Sequence, residues 1–154
     1  MNKLILAENI RSLHNVGAIF RTADSAGWNK IILTGYTGCP PDRRIEKVSL
    51  GAENTIEWEH NPNPLEAIQA LKADGYTILC LEKNKSSTEI FKTPITKHNN
   101  KIALIVGNEV EGVSLEALQL ADHVLHIPMF GEKESLNVSI ATGIALYAIN
   151  NTLT

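Results

Sequence analysis

Three segments of this 154-residue chain concentrate side chains that can do chemistry. The first runs Asn9-Ile10-Arg11-Ser12-Leu13-His14-Asn15 and on to Arg21. If Asn15 caps a helix, Arg21 lies nearly two turns in, on the polar side. A helix amino end and a guanidinium both suit a phosphate, although a plain cap and a surface ion pair fit the same residues. The second is Gly107-Asn108-Glu109-Val110-Glu111-Gly112-Val113-Ser114. Its glycines allow backbone to approach a ligand closely, and Glu109 can accept hydrogen bonds from a ligand amine or a substrate hydroxyl. A solvated acidic turn is the plainer alternative. The third is Ile127-Pro128-Met129-Phe130-Gly131-Glu132-Lys133-Glu134-Ser135-Leu136-Asn137-Val138-Ser139. Its apolar start makes a wall for a flat ring such as adenine, and Ser135 and Asn137 bring polar groups to the head of the last helix. Asn137 also fits as a simple cap.

Short apolar runs must position these loops. Leu4–Ala7, Lys30–Leu33, Thr55–Trp58, Thr77–Leu81, Ile102–Val106 and Val124–Ile127 read as strands. Helices are expected from Val16 to Ala26, stopped by Gly27; over Ile45–Leu50; from Asn63-Pro64 to Ala73, with proline at its first position; from the Ser114 cap to Ala121; and from Asn137 to Asn150. The stretch from Glu82 to Asn100 reads as irregular, with a short strand or turn near Ile90-Phe91. Strands alternating with helices predict an α/β fold, a mostly parallel sheet flanked by helices, in one domain over residues 1–154. In such sheets ligands bind at the carboxyl ends of the strands. The second and third segments both follow a predicted strand, so they predict one composite pocket.

Composition narrows the classes. Charged residues make up 20% and hydrophobic ones 44%, which suits a water-soluble domain with a sizeable core. The net charge of −3 argues against a general polyanion-coating protein. All four arginines (Arg11, Arg21, Arg43, Arg44) nevertheless fall in the first 44 residues, with Lys47 close by, which leaves room for a local basic face. Cys39 and Cys80 form no CxxC pair and read as reduced, non-ligating thiols. His123 and His126 are three apart on a predicted strand, hence on opposite faces, so no metal site is expected. No apolar stretch is long enough to span a membrane, and no secretory leader is apparent, so a cytoplasmic location is expected. The turn after the first strand lacks glycine and there is no GxxxxGK[ST], which disfavours ordinary Rossmann dehydrogenases and methyltransferases and P-loop enzymes.

Taken together and in this order, the three segments resemble the SpoU (TrmH-type) branch of the SPOUT superfamily of RNA ribose methyltransferases, over about residues 3 to 150. The resemblance implies a C-terminal deep trefoil knot, S-adenosyl-L-methionine as cofactor, and a homodimer with the active site near its interface. It implies a cofactor pocket of Leu81, Gly107, Ile127, Met129, Ser135 and Leu136, and a catalytic group of Asn15, Arg21, Glu109, Ser135 and Asn137. Arg11, Arg43, Arg44 and Lys47 are the candidates for holding the RNA backbone. The chain is similar to the minimal subgroup that methylates the wobble ribose of tRNA, while its GNExxG loop suits the tRNA D-loop and rRNA types equally. The expected reaction is in-line methyl transfer to a ribose 2′-hydroxyl. Arginine is effectively never deprotonated in proteins, so Arg21 is expected to clamp phosphate and stabilise a developing alkoxide. The proton would leave through phosphate, Glu109 or water. An rRNA target and a non-catalytic RNA- or nucleotide-binding relative are the alternatives.

Overall fold

A computed structural model describes residues 1–96 and 100–153. Every strand pairing in it is parallel. β1 (Asn2–Glu8), β2 (Lys30–Thr34), β3 (Glu57–Asn61), β4 (Thr77–Leu81), β5 (Thr88–Glu89), β6 (Lys101–Val106) and β7 (His123–His126) form one sheet in the order β3-β2-β1-β6-β4-β7-β5. β7 therefore slots between β4 and β5, both of which precede it in the chain. The central strands are buried on both faces, which explains their continuous apolar runs. Ile5 and Ala7 of β1 point into a core with Phe20, Trp28, Leu104 and Leu146. Leu4 and Leu6 point the other way, into a second core with Ile68, Leu71, Ile78 and Ala117.

The helices α1 (Leu13–Ser25), α2 (Arg43–Ser49), α3 (Pro64–Ala73), α4 (Leu115–Leu120) and α5 (Val138–Thr152) complete the domain. α1 packs on both α2 and α5, and α3 packs on α4. No helix among the described residues is long and apolar enough to cross a membrane. Part of the stretch expected to be irregular, at 97–99, lies outside the described residues.

The departures from the sequence reading have local causes. Asn15 does not cap α1. Ser12 does, its hydroxyl accepting the Asn15 backbone N–H at 3.2 Å, so the helix starts three residues earlier and the Asn15 side chain is free for another task. α2 begins at Arg43 because the Asp42 carboxylate accepts the Arg44 N–H at 2.8 Å. The third strand slides from Thr55–Trp58 to Glu57–Asn61 because the backbone N–H groups of Thr55 and Ile56 both turn back to the Ala52 carbonyl, the first closing a 3₁₀ turn. The short edge strand falls at Thr88–Glu89, just before the buried Ile90.

Candidate functional site

A cavity of about 380 Å³ opens at the carboxyl ends of β4, β6 and β7. All six residues expected in the cofactor pocket line it: Leu81 at the end of β4, Gly107 just after β6, Ile127 and Met129 just after β7, and Ser135 and Leu136 before α5. Glu109 and Asn137 line it too. Its volume falls within the range of about 300–1,000 Å³ of small-molecule sites. The walls combine apolar Leu81, Val106, Ile127, Met129 and Leu136 with Glu82, Glu109, Glu111 and Glu134, against one lysine, Lys83. A cavity so lined favours a ligand with one apolar end and positive charge at the other.

The loop after β6 is fixed by hydrogen bonds to distant segments. The Glu109 carboxylate accepts the backbone N–H groups of Arg11 at 3.0 Å and Ser12 at 3.1 Å, and the Asn15 side-chain amide at 3.1 Å. Partial burial alone would raise its pKa. The donors at Arg11, Glu109 itself, Ser12 and Asn15 outweigh that and hold it below the usual carboxylate value. Glu109 is therefore a poor proton acceptor at neutral pH and a good anchor, and it ties the first segment to the second.

Asn108, buried, donates to the Asn9 carbonyl at 2.9 Å and the Tyr36 hydroxyl at 2.7 Å, while its own oxygen accepts the N–H groups of Val110 and Glu111. Glu8, at the end of β1 and only 3% exposed, accepts both the N–H and the hydroxyl of Ser114. Glu82, at the end of β4, accepts the Val113 N–H at 2.8 Å. The two glycines serve this architecture first. A Cβ at Gly107 would lie 2.4 Å from backbone atoms of Gly112 and Val113. Gly112 has φ of +73° and stands against the Glu82 carboxylate. Glu8, Glu82 and Tyr36 escaped the sequence reading, and Asn108 and the cavity-lining His126 were given no site role in it. One signal was available for the first two: each is a glutamate directly ending a buried apolar strand.

The remaining residues divide. Asn137 caps α5, its side chain accepting the Ser139 N–H at 2.9 Å and the Ser139 hydroxyl at 2.6 Å, while still facing the cavity. Arg21 lies outside the cavity. It is exposed, eight residues beyond the start of α1, about 12 Å along the axis at 1.5 Å per residue. It borders a separate shallow hollow with Asp24, Ser25, Leu50 and Thr55. Arg11, Arg43, Arg44 and Lys47 are all exposed. Arg44 forks onto Asp42 at 2.9 and 3.1 Å, and that hydrogen bond holds the Asp42 carboxyl below its usual value. His126, which lines the cavity, meets the Ser87 hydroxyl at 3.0 Å. Among the described residues no cluster of three or more His, Cys, Asp or Glu could hold a metal.

A doubly covered parallel sheet with a polar, glycine-bounded pocket at its carboxyl edge defines an α/β ligand-binding domain. The SpoU rRNA Methylase family model matches residues 2–147, and the chain belongs to this methyltransferase family. It is 35% identical over 145 residues to the tRNA (guanosine(18)-2'-O)-methyltransferase of Aquifex aeolicus, an alignment covering 94% of this chain and 66% of that protein. It is 28% identical over 144 residues to the 23S rRNA (guanosine-2'-O-)-methyltransferase of Vibrio vulnificus, covering 94% and 57%. The AdoMet-bound rRNA methyltransferase from Sinorhizobium meliloti superposes with a TM-score of 0.89 at 29% identity, over 97% of this chain and 56% of that one. The chain thus spans about two thirds or less of these relatives. The fold is that of the TrmH/SpoU enzymes, and SpoU methyltransferases use S-adenosylmethionine.

Proposed function

We propose that this chain is an S-adenosylmethionine-dependent RNA 2′-O-ribose methyltransferase, with tRNA as its first target, acting in the cytoplasm as a homodimer. The observation that carries this reading is the convergence of residues from β4, the β6 loop and the β7 loop on one cavity with apolar walls and an acidic lining. The cofactor fits that chemistry: adenine presents flat apolar faces, and the sulfonium is cationic. When bound, it supplies an activated methyl group. Leu81, Ile127, Met129 and Leu136 would enclose the ring, and Gly107 and Ser135 would offer polar backbone and hydroxyl contacts.

The protein's own contribution is alignment, worth about 7–11 kcal/mol of barrier in well-oriented reactions. Glu109 holds Asn15 and the amino end of α1 against the cavity, so that end can position a phosphate beside the ribose. With Glu109 held below its usual pKa, the proton leaves through phosphate or water. Arg21, outside the cavity of its own chain, reaches the reacting hydroxyl from the second copy of a dimer. Exposed Ile140 and Tyr147 on α5, which packs on α1, support a subunit contact there. The trefoil knot belongs to the same reading, as part of the fold shared with the TrmH/SpoU enzymes.

The test is methyl incorporation from labelled S-adenosylmethionine into bulk tRNA and rRNA, with mass-spectrometric mapping of ribose methylation in cells with and without the protein. Methylation of tRNA ribose is the expected result. Cofactor binding without transfer to any RNA would overturn catalysis, and transfer confined to rRNA would favour the second reading, which relatives named for 23S rRNA support. Arg21→Lys should keep part of the activity if charge suffices. Complete loss in a folded, dimeric, cofactor-binding variant would show that the guanidinium fork itself is required.

A further inference from the structure

Two aromatic side chains stand out into solvent at the carboxyl edge of the sheet. Phe130 is 95% exposed and directly follows Met129 of the cavity wall. Tyr36 is 61% exposed, in the loop after β2. Tyr36 is held in place: its hydroxyl accepts from the Asn108 amide at 2.7 Å, and its backbone N–H donates to the Asn9 side chain at 3.1 Å. Its phenol edge is thus pinned beside the cavity rim while much of the residue stays open to solvent. The strands that carry the two loops, β2 and β7, are four sheet positions apart, with β1, β6 and β4 between them. At about 4.8 Å per strand that is roughly 19 Å, and the cavity lies inside this span.

We propose that Tyr36 and Phe130 are stacking posts for unpaired bases of the RNA substrate, one on each side of the cofactor cavity. This rests on the methyltransferase reading above. RNA is read mainly where its bases are unstacked, and such bases settle on aromatic rings. Stacking tolerates any base because every base has a π-face. The charges favour a polyanion at the Tyr36 post. Arg43 and Lys47 follow the Tyr36 loop and Arg11 is exposed where the chain enters α1, whereas beside Phe130 the one cation close in sequence, Lys133, stands between exposed Glu132 and Glu134. A single strand would lay its phosphates on the cations beside Tyr36 and its bases on the two rings, with Phe130 contributing its ring alone. The hydrogen bond from Asn108 links one post to the Glu109 loop, so that post and the cofactor cavity are set by the same side chains.

Anisotropy of labelled bulk tRNA at fixed salt, with the intact protein, tests this. Phe130→Leu and Tyr36→Leu keep apolar bulk but remove the ring, and each should weaken tRNA binding about five-fold or more. Phe130→Trp keeps a ring and should bind like the parent chain, and Tyr36→Phe, which keeps the ring but loses the Asn108 contact, should bind more tightly than Tyr36→Leu. The new indole in Phe130→Trp should be quenched as tRNA is added, and calorimetric affinity for S-adenosylmethionine should not move in either Phe130 variant. Leucine variants that bind tRNA as well as the parent would overturn the proposal. So would a change in sedimentation of Phe130→Leu, which would make the residue a subunit contact. Failure of the underlying reading looks different: the unaltered chain would then neither bind tRNA nor transfer methyl to it.

Discussion

The two loops that close the cavity are built in opposite ways. The loop after β6 (107–114) is pinned to three other parts of the chain: Ser114 to Glu8 of β1, Val113 to Glu82 at the end of β4, and Glu109 to the head of α1. The loop after β7 (128–136) has no such pins. Among the described residues no hydrogen bond reaches it, and Phe130 through Asn137 are exposed. One wall of the site is therefore set before any ligand arrives, and the other is free to settle on what it meets. A methyl donor and a sugar hydroxyl must be held within a few tenths of an ångström, which argues for one rigid reference surface. Cofactor must also enter and product leave, which argues for a wall that yields.

The largest effect is expected where the rigid wall is cut. Glu8→Ala leaves the N–H and hydroxyl of Ser114 without their charged acceptor in a nearly closed environment. The cost should be about 3 kcal/mol, a fall of about 10 °C in Tm for a chain of this size. Cys80 reports the same event locally. Burial first, then Glu8, Glu82 and Asp122, push its thiol up to about 12, so it should resist maleimide at pH 8 in the parent chain and react faster in Glu8→Ala. If Glu8→Ala melts like the parent, the loop is not held as described.

A smaller effect is expected at the tie between loop and helix. Glu109→Gln replaces an acceptor oxygen with a donor facing the N–H groups at the start of α1. It should cost about 1 kcal/mol, since the group is exposed and solvent replaces part of the loss. The pH dependence has a definite sign. A carboxyl depressed in the folded chain contributes stability above its unfolded pKa and loses it as pH falls through the folded value. Thermal melts of the parent and the variant should thus differ at neutral pH and converge in acid, below the ordinary carboxylate range. Curves that stay parallel throughout would show that Glu109 is not the anchor.

The sequence exposed the flexible wall more readily than the rigid one. The family resemblance named Leu81, Ile127, Met129, Ser135 and Leu136; the first three sit on or just past strand ends, which an apolar run that stops also marks, and the last two precede α5. The pins were not readable. Glu109 meets Asn15 across 94 residues and Ser114 meets Glu8 across 106, and no local pattern encodes such a pairing. Ser12 and Asn15 are both good caps three residues apart, so only the folded chain shows that serine caps and asparagine faces the glutamate. Arg21 was legible as a polar-face position but not as a location: a helix periodicity does not say that this face lies away from the cavity.

The smallest effect on stability should come from the yielding wall, and it sharpens the contrast most. Leu136 is partly exposed, lines the cavity and has few neighbours to lose. Leu136→Ala should leave the melting temperature within about 1–2 °C, as for surface changes within ±0.5 kcal/mol. The same truncation removes apolar wall from the cofactor. Its affinity for S-adenosylmethionine, measured by calorimetry, should fall several-fold, as expected for about 1 kcal/mol of lost contact. The two walls then separate along two measurements: Glu8→Ala moves the melt, and Leu136→Ala moves the affinity with the melt in place. A Leu136 variant that loses stability as Glu8→Ala does would mean that the β7 loop is as rigid as its neighbour. Closing over the cofactor would then have to come from the domain as a whole.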